Sequence, residues 1–212
     1  ARRQVIVDRK EDVLPGLQRA AVEIRRAVGE PSASLERYNV PIVEATTSSL
    51  DALRALRRGD VARDRGQSSL ALDLYRQAVA LDPDFALAHA RLGVAALASG
   101  TEAECAAAFE KAYALRERVT FPERLEIEAS YHRNITGQQN KVVQALELLG
   151  RTSPRRALYR SSLAVEHMLA GRYEAALAEA LEAQRLEPNS VMHGIAVSRA
   201  YLYLNRTAEA RA

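Results

Sequence analysis

Residues Ser69–Pro83 read SLALDLYRQAVALDP, and the spacing inside this stretch decides the fold. Ala71, Tyr75 and Ala78 stand four and three residues apart, intervals that place side chains on one face of an α-helix, and Pro83 closes the run. The pattern then returns, with Cys105 for Ala71, Phe109 for Tyr75 and Ala112 for Ala78, each 34 further along. Gly59 and Gly93 are also 34 apart, as are Gly137 and Gly171, Gly171 and Asn205, and Pro154 and Pro188. A fixed period of this length marks a repeat array. One unit of two helices cannot bury its apolar face alone and stacks on its neighbours.

Working outward, Ser48-Ser49-Leu50-Asp51 reads as a capping box, with Ser48 as the cap and Asp51 reaching back. The first repeat then has helix A near 49–64 and helix B near 68–81. The second carries Leu92, Gly93 and Gly100, with helix A near 85–98 and a helix B from Thr101 drawn out to about Arg118. There the period slips by three residues, which the spacing places around Val119–Pro122, and Thr120 with Glu123 restarts a helix. The array spans 48–212, in repeats of about 52–85, 86–122, 123–156, 157–190 and an incomplete 191–212. Residues 1–28 hold an N-terminal segment and a helix with Val13, Leu14, Leu17 and Ile24 on one face, expected to cap the first repeat. Residues 29–47 read as a linker. The Val5–Val7 run suggests an edge strand or the end of an upstream domain. An array that stops inside a repeat leads us to expect a piece of a longer protein.

Composition narrows the function. Apolar residues make up 48%, with no Trp and 5% aromatics, which suits close helices packed through Ala and Leu. Of the 30 basic residues only Lys10, Lys111 and Lys141 are lysines, and the net charge of +3 is spread along the chain. No nucleic-acid partner is therefore expected. The single cysteine, Cys105, forms no internal disulfide and falls where the repeat wants a small buried residue. Every apolar run is far shorter than a bilayer span, so no direct membrane insertion is expected. The expected setting is a soluble domain, cytoplasmic or the extracytoplasmic part of a membrane-anchored protein.

Chemistry is sparse. His89, His132, His167 and His193 form no i,i+4 pair and no Cys/His cluster, so no metal is expected. Glu166 and His167, with Ser161 and Ser162, resemble a triad fragment, but neighbours on one helix diverge and there is no nucleophile elbow. There is no Gly-Lys-Ser/Thr phosphate loop. No catalytic activity and no cofactor are expected of this chain.

The Ala-x3-Tyr-x2-Ala…Pro pattern at this period resembles the tetratricopeptide repeat. That resemblance implies an all-α fold, a right-handed superhelix that is an α-solenoid of antiparallel helix pairs. Two stretches resemble something narrower. RERVTFPERLEIEASYHRNITGQQNKVVQALELL (116–149) and LPGLQRAAVEIRRAVGEPSASLERYNVPIVEATTSSLDALRAL (14–56) are similar to tetratricopeptide regions of large bacterial signalling proteins. Serine/threonine kinases resemble them most, and winged-helix regulators come second. The kinase catalytic motifs are absent here, so any such activity would lie in a domain outside this chain.

The resemblance also implies a concave groove lined by the A helices. Mapped onto this chain, its candidate residues are Leu56, Arg57, Arg91, Val94, Arg124, Tyr131, Asn134, Val165, Arg199 and Tyr203. The carboxylate clamp that holds chaperone tails would need Lys and Asn where Leu56 and Asp60 stand, Asn at Arg91, Lys at Arg124 and Arg at Glu128. Only the basic character at Arg124 is kept, so chaperone-tail binding is not expected. An aliphatic groove with arginines suits an apolar peptide or helix carrying some negative charge. These positions could instead pack against the chain's own N-terminal helix or a neighbouring repeat. The expected function is a non-catalytic protein–protein interaction scaffold or sensory module of a bacterial signalling protein. The alternative is a self-assembly module that forms homo-oligomers through the incomplete last repeat.

Overall fold

The computed structural model describes residues 6, 7, 9, 12–32 and 47–211, with backbone only at Arg211. Residues 33–46 of the expected linker lie outside them, as does Val5; Ile6 and Val7 carry no strand. The elements described are helical: α1 (Val13–Ala27), α2 (Leu50–Asp64), α3 (Ser68–Leu81), α4 (Ala86–Ala98) and α5 (Glu102–Ala114), followed by α6 (Phe121–Tyr131), α7 (Gln139–Thr152), α8 (Ala157–Leu169), α9 (Tyr173–Leu186) and α10 (Val191–Tyr203). The fold is an α-solenoid of paired helices, as the period requires. The chain forms two compact units, one up to Ile127 and one from Glu128.

In the first unit α2 pairs with α3 and α4 with α5, and α3 packs on α4. Ala86, Ala90, Ala112, Leu115 and Ile127 form one core cluster, with Tyr113 and Val119 against it. In the second unit α7 packs on α8, α8 pairs with α9, and α9 packs on α10. Its cluster is Ala164, Leu177, Ala180, Val197 and Ala200. Alanine dominates both because a small side chain lets two helix backbones approach closely. On α1, Leu14 is buried while Leu17, Ile24 and Val28 stand exposed.

The A helices close on left-handed turn residues. After α8 the N–H of Gly171 donates to the carbonyl of Met168 and that of Arg172 to His167, the reciprocal pair of a Schellman turn. The turn needs a positive φ, which Gly171 supplies at 70° and Asn205 supplies after α10 at 59°. Asparagine tolerates this conformation better than other non-glycine residues, which explains its place in the periodic glycine series.

Three expectations are corrected. The cap of α2 is Ser49, whose side chain accepts from Ala52 N, and not Ser48. The hydroxyl two residues before the cap, Thr47 Oγ1, accepts from Ser49 N and donates to Asp82, the residue that ends α3. The three extra residues also do not fall together. Helix starts at Ala86 and Phe121 are 35 apart, so the connection with its 3-10 turn at Arg116–Arg118 takes only one. The other two lengthen the A helix, which continues past Tyr131 as a π-helix at His132–Thr136. The Thr120–Glu123 restart does form, with Glu123 Oε2 accepting from Thr120 N at 3.1 Å and from Thr120 Oγ1 at 2.9 Å. Helix α5 ends at Ala114, short of the Arg118 expected for it.

Candidate functional site

The first unit holds five of the candidate residues. Leu56 is 1% exposed and belongs to the core of the α2/α3 pair, so it shapes the surface without forming it. Val94, on α4, is 41% exposed, and Leu97 beside it is exposed too. Val94 and Arg91 meet at a small cavity of about 70 Å³, floored by Ala71, Ala95 and Ala98 and bordered by Arg63 and Tyr75.

The arginines here are largely engaged. Asp60 on α2 accepts from the Tyr75 hydroxyl at 3.0 Å. Arg57, Arg63 and Arg91 approach the same carboxylate at 3.6, 3.5 and 3.7 Å. Arg91 Nη2 also donates to Glu126 Oε2 at 3.2 Å, so its charge is shared between α2 and α6. Arg124 Nη1 donates to Glu117 at 3.0 Å. Burial, then the charge of Asp60, pushes the Tyr75 hydroxyl up to about 12, so it remains a donor at any ordinary pH.

The second unit holds the other five. Val165 is 50% exposed on α8, flanked along the helix by the exposed Leu158 and Leu169. The positions one period on, Met192, Arg199 and Tyr203 of α10, are exposed too. Two neighbouring A helices therefore present the same face, mostly apolar, to solvent. Arg199 makes no hydrogen bond or ion pair among the described residues. Tyr203 stacks on Tyr173 at 5.0 Å. Tyr131 precedes the π-helix and Asn134 lies within it. Tyr131 packs edge-on to His132 at 5.5 Å, and Asn134 Nδ2 donates to the carbonyl of Ser130 at 2.8 Å.

Two polar clusters of this unit escaped the sequence reading. Glu166 is fully buried on α8, where Arg133 Nε donates to it at 2.7 Å and Gln139 Nε2 also donates. The period carries no signal for it: at the same offset before Gly66 stands Val61, which is 49% exposed. The second cluster joins Ser161, His193 and Glu187. His193 Nδ1 lies 3.0 Å from Ser161 Oγ, and Nε2 lies 3.1 Å from Glu187 Oε2. A carboxylate only accepts, so neutral His193 carries its proton on Nε2 and accepts from the serine hydroxyl. The order serine–histidine–carboxylate is that of a hydrolytic triad, but with the two ring nitrogens exchanged. Ser161, however, lies inside α8, where backbone N–H groups are engaged in the helix and form no oxyanion hole. The cluster ties α10 to α8.

Among the described residues no group of three or more His, Cys, Asp or Glu is placed to hold a metal, and no helix is long and apolar enough to cross a membrane. Burial, with Glu102 adding to it, pushes the Cys105 thiol up, which keeps it protonated and unreactive.

Comparison with known proteins agrees with this geometry. Residues 59–100 match the model of the TPR, or tetratricopeptide, repeat. A solved TPR protein from Thermus thermophilus, TTC0263, is 22% identical with a TM-score of 0.58, covering 75% of this chain and 86% of that one. MamA 41-end from Desulfovibrio magneticus RS-1 is 15% identical with a TM-score of 0.49, covering 77% and 90%. No curated protein matches the chain. The chain thus contains a tetratricopeptide region.

Proposed function

We propose that this tetratricopeptide chain is a non-catalytic protein-interaction scaffold, which takes an apolar peptide or helix on the exposed faces of its A helices. The observation that carries the reading is the repetition of one exposed face on α8 and α10. Leu158, Val165 and Leu169 recur one period on as Met192, Arg199 and Tyr203. Solvated apolar side chains gathered on one surface are the usual sign of a docking site. The ligand would be mainly apolar, since Arg57, Arg91 and Arg124 already face carboxylates and only Arg199 is left to meet an acidic group. The resemblance of 14–56 and 116–149 supports placing the module in a bacterial signalling protein of the kinase-associated kind.

The test compares wild type with Val94→Glu/Val165→Glu in a pull-down from source lysate. Both positions are solvent-accessible, so the variant should keep its helical circular dichroism. A partner lost by the folded variant supports the reading. A partner held equally by both moves the interface elsewhere.

A second reading is favoured by one observation. Val191, Ile195 and Leu202 of α10 line an open cleft of about 530 Å³. The same stretch of α8 is better covered: one period earlier, Ala157 is fully buried and Ser161 and Met168 are half-buried. Self-association through α10 would cover the cleft. Mass that rises with concentration and is reset by Ile195→Glu supports that reading. A monomer at every concentration sinks it.

A further inference from the structure

We propose that the outer face of the α2/α3 pair is a second docking surface, and that its occupant is an acidic amphipathic helix of a partner protein. A cleft of about 380 Å³ runs between the two helices, its walls formed by Arg57, Arg58 and Val61 of α2, Arg65 at its C-cap, and Leu70 and Leu74 of α3. Val61 is 49% exposed and Leu70 47%, so an apolar strip faces water. No carboxylate lines the cleft. Arg58 on α2 and Arg65 at its C-cap stand seven residues apart, and neither has a hydrogen-bond or ion-pair partner among the described residues. Arg57 lies 3.6 Å from Asp60 with its side chain still 75% exposed.

The second repeat shows what this surface would look like if another repeat packed on it. One period on, Arg58 is replaced by the buried Leu92, Arg65 by Ser99 and Leu70 by Glu104. Glu104 there receives a bidentate contact from Arg76 of α3, at 2.8 and 2.7 Å. The first repeat inverts this pattern. It sets a cation where the stacking face has an aliphatic residue, and an aliphatic residue where that face has an acid. A neighbour of the same kind would bring an arginine to Leu70 and bury Arg58 without a counter-charge, which costs strongly. A second copy docking through α10 would bring Arg199 toward the same cations. What fits is a helix with aliphatic residues at i and i+4 to cover Val61 and Leu70, flanked by carboxylates for Arg58 and Arg65.

The experiment titrates the full chain into a fluorescein-labelled, amidated model helix of Leu, Ala and Glu, read by anisotropy at low and at high salt. A counterpart with Lys for every Glu serves as control. The acidic helix should bind, weaken in high salt, and lose about ten-fold or more in affinity to Arg58→Glu/Arg65→Glu, as two or three exposed charge pairs of a few-fold each imply. The basic counterpart should not bind. Arg58→Gln/Arg65→Gln, which removes charge without reversing it, should fall between. The proposal is overturned by absence of binding or by equal binding of the two helices. It also fails if Arg58→Glu/Arg65→Glu keeps full affinity while Val94→Glu loses it, which would place the probe on the A-helix surface instead.

Discussion

A β-carbon placed on Gly59 would stand 2.6 Å from Cε1 of Tyr75, closer than any real contact allows. The same crossing recurs one repeat later, where a β-carbon on Gly93 would meet the Phe109 ring at 3.0 Å. Both rings are buried. Glycine at this position of helix A therefore lets an aromatic of helix B lie flat against the backbone. The two crossings differ in one respect: Tyr75 is tethered by its hydroxyl to Asp60 at 3.0 Å, whereas Phe109 has no such anchor and can shift.

Gly59→Ala should consequently destabilise more than Gly93→Ala. Overpacking costs about 1–3 kcal/mol, against a gain in helix propensity of up to about 1 kcal/mol. We expect a net loss of about 1–2 kcal/mol at Gly59 and less than about 1 kcal/mol at Gly93, read by urea denaturation. Equal stability of the two variants would show that the Tyr75 tether does not hold the ring in place.

The buried carboxylate of Glu166 gives an asymmetric pair of mutations. Arg133→Met leaves that carboxylate fully buried with only Gln139 to donate to it, and an orphaned buried charge costs about 3–5 kcal/mol. Glu166→Met leaves Arg133, whose side chain is 38% exposed, free to turn its head to water, at about 1–2 kcal/mol. The double substitution should recover most of the loss caused by Arg133→Met. A larger cost at Glu166 than at Arg133 would contradict the assignment of the pair.

Most of the fold could be read from the sequence because a fixed repeat period is a one-dimensional signal. Helix limits at α2 and α3, the turn residues and the size of the slip follow from it, but not where the three extra residues fall. What could not be read are contacts between repeats. The carboxylates Asp60, Glu126 and Glu166 are engaged by residues of neighbouring elements, and periodicity carries no record of which acid meets which arginine. Thus Arg91 and Arg124 read as an open cationic rim, although each faces an acid.

The misplaced cap has the same origin. Thr47, Ser48 and Ser49 offer three hydroxyls in a row, and the box pattern fits Ser48. Thr47 is instead fixed by Asp82, on the far side of the first repeat, which shifts the start of α2 by one residue. Ser49→Ala should then cost about 1 kcal/mol and Ser48→Ala close to nothing. The reverse order in thermal or urea unfolding would restore Ser48 as the cap.

His89 makes the fold sensitive to mild acid. Its Nε2–H donates to the carbonyl of Pro83 at 2.9 Å. Burial lowers its pKa from 6.5, and Lys111 lowers it further, against the carbonyl, Asp82 and Asp84, which raise it. The folded chain thus takes up this proton less readily than the unfolded one. The stability difference is absent well above 6.5 and grows as the pH falls through 6.5, because the unfolded state gains protons first. Stability is therefore lost on acidification, until the folded pKa is passed and the loss levels off. His89→Gln keeps a donor for the Pro83 carbonyl and removes the titration, while the other three histidines remain in both proteins. Urea unfolding at neutral pH and at roughly pH 5.5 should show a smaller acid loss for the variant than for wild type. Identical losses would mean that His89 takes up its proton equally well in both states.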